Sequence, residues 1–221
     1  MRTFWALLVL VGLVASPAFA ADATKPHPHQ GVLAPYKGAP PMLELTNDDL
    51  AQLARGQTVR KQTKDEDGTG GRGIAVQDVH ATPEVIWSRI IDFPKYPDWV
   101  DGVHECEVYA KHDDHIKVRF IIGAIGVKVE YFIDHVYHPD QGWMTWTLDY
   151  SRESDLDDSV GFWRVVPLPD KPGWSRVFYS VDVKLRGWVP GFIQSMLTRR
   201  GLTQATEWVK RESEKAAAAA G

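Results

Sequence analysis

One cysteine in 221 residues, Cys106, leaves no intramolecular disulfide to build. A chain of this length with 44% hydrophobic content does not need one. A domain of this size hides roughly 70% of the surface its unfolded form would expose, so the lone thiol reads as a small core residue. Positive charge is also short: 25 Lys and Arg stand against 29 Asp and Glu, for a net charge of −4, which argues against nucleic acid as a partner. Several chemical signatures are missing as well. There is no Gly-x-Ser-x-Gly, no His-Glu-x-x-His, no cysteine paired with a positioned histidine and no phosphate-cradling glycine loop. Internal repeats are absent, and no apolar run reaches the roughly 20 residues of a membrane-spanning helix.

What the first twenty residues do contain is ordered: Arg2, an apolar run from Phe4 to Val14, then Ser16 and Pro17, then the small-residue site Ala18-Phe19-Ala20. This is the layout of a secretory signal peptide, and it predicts cleavage after Ala20 and a periplasmic or secreted protein. No cysteine follows the run to be acylated. Loss of Arg2 takes the formal charge from −4 to −5. Residues 21–41 are rich in Pro, Ala and Gly without hydrophobic periodicity and read as a flexible leader. Its His27 and His29 form no ligand set by themselves. An accessory helix follows around Leu45 to Gly56, capped by Thr46 and closed by Gly56, and completes a leader spanning 21–57. Thr58 to Lys64 reads as an edge strand, and Asp65 to Gly71 as a turn.

The main domain, 58–215, continues with a strand at Gly73 to Val79. Thr82 as cap and Pro83 in the first turn start a helix that carries Val85, Ile86, Trp87, Ile90 and Ile91. Pro94 and Pro97 break it and bring Phe93, Tyr96 and Trp99 together. Six strands then alternate with short turns: Val103 to Tyr109, His115 to Ala124, Val127 to Tyr137, Trp143 to Tyr150, Ser159 to Pro167 and Ser175 to Leu185. Short turns make neighbours antiparallel. Alternation puts Ile116, Val118, Phe120 and Ile122 on one face, with Val127, Val129, Tyr131 and Ile133 beside them. Phe192, Ile193, Met196, Leu197, Ala205, Trp208 and Val209 recur at helical spacing from Pro190 to Lys215. Residues 216–221 read as a disordered tail.

This order, with Ala81-Thr82-Pro83-Glu84-Val85-Ile86-Trp87, the proline break at 92–99, Gly161-Phe162-Trp163 and the terminal helix, resembles the START-like (SRPBCC) superfamily. That superfamily includes polyketide cyclase/dehydrase proteins, coenzyme Q-binding proteins and START-type lipid-transfer proteins. The resemblance covers Gly73 to Lys215. It implies an α+β helix-grip fold, in which a curved antiparallel sheet wraps a long C-terminal α-helix around an internal cavity. It implies a bound lipid, sterol, quinone or polyketide-like molecule.

The residues give that implication a chemical reason. The inward set is unusually aromatic and has polar tips, namely Tyr131, Tyr150, Tyr179 and the indole N–H groups of Trp146 and Trp163. In a sealed core each would need a partner or cost roughly 1–3 kcal/mol. A cavity accommodates them, and the ligand-binding residues expected are Tyr96, Trp99, Phe120, Tyr131, Trp146, Tyr150, Trp163, Tyr179, Phe192, Met196 and Leu197. Catalytic candidates at strand ends, His135, Asp149, Arg152 and Glu153, form no set, and the histidines near turns read as surface groups. The acidic run Glu153, Asp155, Asp157 and Asp158 lacks the spacing of a calcium loop. The reading is therefore an exported monomeric carrier of a hydrophobic small molecule, with no catalytic residue, cofactor or metal. The alternatives are a polyketide-type cyclase/dehydrase and a protein-interaction module with a filled core. The turn at Pro94 to Trp99, with Trp188 and Phe192, is a candidate lid for transient membrane contact.

Overall fold

The computed structural model describes residues 21–64, 70–124, 127–186 and 205–220. Helix α1 (Asn47–Ala54) precedes strands β1 (Val59–Lys64) and β2 (Gly70–Val79). Helix α2 (Pro83–Ile90), a 3-10 turn (Phe93–Lys95) and the single turn α3 (Tyr96–Trp99) follow. Six strands come next: β3 (Val103–His112), β4 (His115–Ala124), β5 (Val127–His138), β6 (Trp143–Leu148), β7 (Leu156–Pro167) and β8 (Ser175–Leu185). Helix α4 (Glu207–Ala220) ends the chain.

All eight strands form one antiparallel sheet in the order β1-β2-β8-β7-β6-β5-β4-β3. Consecutive strands are neighbours from β3 to β8 because turns of a few residues can only reverse the chain. The exception is β2 against β8, which joins the two ends of the domain. Asp78 and Arg176 face each other in that pair and bond in a fork, 2.6 and 3.0 Å, which pins the register. Helix α4 lies against α2 and β2. The α+β helix-grip fold implied by the sequence is the fold observed.

The inner face carries the expected alternation. Ile116, Val118, Phe120 and Ile122 share one core with Val129, Ile133, Met144, Trp146, Leu148, Trp163, Val177, Trp208 and Val209. Each fully buried aliphatic side chain contributes about 1.5–3 kcal/mol. The outer face holds a second core of Leu53, Val59, Val76, Phe162 and Phe178, covered by Tyr36, Leu43, Leu45 and α1. Thr46 and Asp49 exchange capping bonds at the start of α1, as expected. Thr82 sits in the cap position of α2, but its hydroxyl makes no cap bond.

Three expectations change. The flexible leader is instead a strap laid along the sheet: Asp22 bridges Glu153 in antiparallel fashion, His27 N donates to Tyr150 O at 3.0 Å, and Arg164 donates to Pro40 O at 2.6 Å. Composition hid this because main-chain bonds, not periodic side chains, hold it. The tail expected at 216–221 continues α4 through the alanines to Ala220, since alanine has the highest helix propensity. Strand β6 stops at Leu148, two residues short of Tyr150. The expected start of the C-terminal helix, with Trp188, Phe192, Met196 and Leu197, lies outside the described residues, as do residues 1–20. Among the described residues no helix is long and apolar enough to cross a membrane.

Candidate functional site

A belt of rings lines the inner face. Phe120 on β4 stacks on Tyr131 of β5, with centroids 5.2 Å apart and planes within 9°. His135 follows two turns of alternation later on β5 and sits 6.0 Å from Trp146 of β6. Trp146 stacks on Tyr179 of β8 at 5.7 Å, and Tyr179 meets Trp163 of β7 at 4.5 Å. Trp208 of α4 closes the belt, 6.4 Å from Trp163, 5.8 Å from Trp99 and 4.7 Å from Tyr96. Room for the Trp146 ring comes from Gly161 opposite it, where an added Cβ would lie 2.1 Å from the indole. Of the residues expected in the site, Tyr96, Trp99, Phe120, Tyr131, Trp146, Trp163 and Tyr179 are thus brought together.

The polar tips in this belt differ in kind. The Tyr96 hydroxyl donates to Ile90 O at 2.6 Å, and the Trp146 indole donates to Ser159 Oγ at 3.3 Å. The Tyr131 and Tyr179 hydroxyls make no hydrogen bond among the described residues. Burial pushes both phenols well up, and Tyr131 also feels Tyr179 and Cys106. Yet both side chains keep accessible surface. Burial likewise pushes the Cys106 thiol up, which keeps it protonated and unreactive.

His135 was expected at the surface and is 5% exposed. It shares the parity of Tyr131 and Ile133, so the alternation that placed those two inside places it there too. Its Nδ1 donates to Ile116 O at 3.1 Å, which leaves Nε2 as an acceptor among Phe93, Phe120 and Trp146. Burial lowers its pKa to about 4, so the ring is neutral at pH 7. Phe93 and Trp208 also belong to the belt. Both were visible as periodic or loop aromatics, and the sequence could not show that they meet.

Tyr150 packs against the inner core, but its hydroxyl does not join the belt. Because β6 ends before it, its hydroxyl turns to the strap, donating to Asp158 Oδ1 at 2.8 Å. The other strand-end candidates are committed elsewhere. Asp149 is buried, which raises its pKa, but bonds from Ser151, Tyr109 and Lys117 outweigh that and hold its carboxyl below the usual range. Arg152 stacks over the Tyr109 ring at 3.9 Å, and Glu153 pairs with Arg186 at 2.7 Å. Trp99, the expected lid residue, is half-buried on Trp208, and its carbonyl accepts from Arg211 at 2.8 Å.

His27, His29 and Asp157 cluster with candidate ligand atoms within 4.8 Å of one another. In both rings Nδ1 accepts a backbone N–H, from Ser154 at 3.3 Å and from Gly31 at 3.1 Å. The proton is therefore on Nε2, which donates to Asp157 O at 2.9 Å and to Asp157 Oδ1 at 3.2 Å. Neither ring offers a lone pair to a cation in that state. A depression of about 470 Å³ at the β3–β4 turn, away from the belt, has charged Lys111, Asp113, Asp114 and Asp140 beside Ile116 and Tyr137 in its lining.

Solved structures share the architecture. A STAR-related lipid transfer protein from Xanthomonas axonopodis superposes with a TM-score of 0.57 at 11% identity, covering 71% of this chain and 93% of that one. The Zhui aromatase/cyclase from a Streptomyces species gives 0.54 at 14%, covering 72% and 95%. A START superfamily protein from Mycobacterium smegmatis gives 0.51 at 20%, covering 72% and 97%. At such identities the likeness is one of fold. No curated protein sequence matches the chain. The family model for polyketide cyclase/dehydrase and lipid transport matches residues 79–208, from the end of β2 to Trp208 in α4. With more than half its length inside that match, the chain belongs to the polyketide cyclase/dehydrase and lipid transport family.

Proposed function

We propose that this protein is an exported carrier that holds a mainly hydrophobic molecule against the inner face of its sheet and delivers it unchanged. The observation that carries the reading is the pair of partnerless hydroxyls, Tyr131 and Tyr179, in an otherwise apolar belt. Two donors and the Nε2 acceptor of His135 suit a ligand with a hydroxyl or carbonyl end on a ring-rich or aliphatic body. The family supports binding of such a molecule or conversion of a polyketide-like one. Export is supported by the residue pattern of the first twenty residues.

Carriage is favoured over conversion because the strand-end acids and Arg152 are bound up on the outer side, which leaves the inner face, among the described residues, with His135 and two phenols that burial holds protonated. A cyclase or dehydratase reading keeps His135 as its candidate base, a weak one with a pKa near 4, beside the Tyr131 and Tyr179 phenols. Incubation with a polyketide-like substrate separates the two. The carrier reading expects the compound recovered unchanged by wild type and His135→Ala alike. Turnover by wild type that His135→Ala abolishes would overturn it.

A further inference from the structure

We propose that cleavage after Ala20 creates an α-ammonium at Ala21 that completes a buried ion pair with Asp155, so that export processing locks the strap onto the sheet. This rests on the export reading above. Ala21 N lies 2.9 Å from Asp155 Oδ1. The Asp155 carboxylate is 5% exposed, and its other oxygen accepts from Glu130 N at 2.7 Å. Its backbone N–H donates to Glu130 O at 2.8 Å, which fixes the residue against β5. No lysine, arginine or histidine pairs with it among the described residues. The basic group nearby, Arg186, is taken by Glu153 at 2.7 Å. Burial raises the Asp155 pKa and the Glu130 carboxylate adds to that, as expected of a carboxylate short of a cation. The next residue, Asp22, is held by Glu153 through two main-chain bonds of 2.9 and 3.1 Å, so Ala21 N is aimed at Asp155 by backbone geometry.

A peptide N–H brings one donor and no charge to this carboxylate, whereas an ammonium brings three donors and a positive charge. The step is a hydrolysis. Water supplies OH to the Ala20 carbonyl, which leaves as a carboxylate, and hydrogen to Ala21 N, which binds a further proton at neutral pH. Pairing with Asp155 raises the amine pKa above its usual value near 8. A group whose pKa is raised on folding stabilises below its unfolded value and loses that contribution as pH rises through the folded one. The charged groups around the new terminus among the described residues are Asp155, Glu130, Glu153 and Arg186 on the sheet side, and Asp22 with its partner Lys25 on the strap.

The test compares three chains ending at Gly221: one beginning with a free Ala21 amine, one acetylated at Ala21, and one with a glycine added before Ala21. Urea unfolding is followed from pH 6 to 10. The free chain should have an unfolding constant about tenfold below the other two at pH 6–7, converging with them above pH 9. Asp155→Asn should remove the difference, and direct NMR titration of the Ala21 amine should place its pKa above 8 without any variant. Equal midpoints for free and acetylated chains at every pH, or an amine pKa at or below the usual value, would overturn the pairing. N-terminal sequencing of the exported protein should begin at Ala21. Another first residue would overturn the processing step and the cleavage site of the export reading, while the unfolding comparison decides the ion pair by itself.

Discussion

The two faces of the sheet both carry polar side chains in apolar surroundings, and they treat them oppositely. On the outer side, Asp158 is fully buried and accepts four bonds: from Val32 N and Leu33 N at 2.7 Å each, and from the Tyr150 hydroxyl and Ser159 N at 2.8 Å each. His27, His29, Ser154 and Asp155 are similarly committed. On the inner side the Tyr131 and Tyr179 hydroxyls and the His135 Nε2 have no partner among the described residues. A satisfied buried network costs little and specifies one structure. Unpartnered groups are instead available to a ligand, and the proposed carrier reading rests on this difference.

If the outer network is structural, breaking it should produce the largest loss of stability with no change in ligand preference. Asp158→Asn presents an amide donor to four donors and should cost about 3–5 kcal/mol in urea unfolding. A loss below 1 kcal/mol would remove the strap from the account. Next in size is the pH response of the inner face. His135 is neutral when folded, with its pKa lowered from 6.5 to about 4. Its contribution is therefore whole above pH 6.5 and falls away as the pH drops, by about 3 kcal/mol at pH 4. Burial also lowers the pKa of His27, which adds loss of the same sign. Stability measured from pH 7 to 4 should decline less steeply in His135→Phe than in wild type.

Gly161→Ala should cost about 1–3 kcal/mol, because its Cβ would lie 2.1 Å from the Trp146 ring and 2.4 Å from Ser180 O. Pushing that ring inward should also weaken ligand retention, measurable by native mass spectrometry. The smallest stability effect is expected for Tyr131→Phe and Tyr179→Phe, within about 0.5 kcal/mol of wild type, because no internal bond is lost. Melting curves that move substantially for either variant would mean the hydroxyls are structural after all.

The inner face was largely legible in the sequence because a strand's side chains alternate and the turns are short. The register of Phe120, Tyr131, Trp146, Trp163 and Tyr179 follows from those two facts. His135 obeys the same parity, so alternation rather than nearness to the turn decides its burial. Tyr150 stands two residues past the end of β6, so its ring stays on the inner core while its hydroxyl turns to Asp158. The strap over the outer face was not legible. The strap is held by main-chain bonds and by carboxylates that accept them, and neither leaves a period in the sequence. Gly31 is an example. Its φ of +102° and the Tyr150 hydroxyl 2.5 Å from where a Cβ would stand make glycine necessary, and only the docked strap reveals it. The second core under α1 had one trace, since Phe162 and Phe178 sit at outward positions of strands that are apolar on both faces.

The central claim is that the inner face holds an apolar molecule through Tyr131 and Tyr179. Native mass spectrometry of the protein, purified without denaturant or detergent and then exposed to 1-anilinonaphthalene-8-sulfonate, tests it most directly. The account predicts a bound apolar molecule or stoichiometric probe uptake in wild type, reduced about tenfold or more in the Tyr131→Phe/Tyr179→Phe double variant with its fold intact. A wild-type protein that carries nothing and takes up no probe, or a double variant that binds as well as wild type, would contradict it.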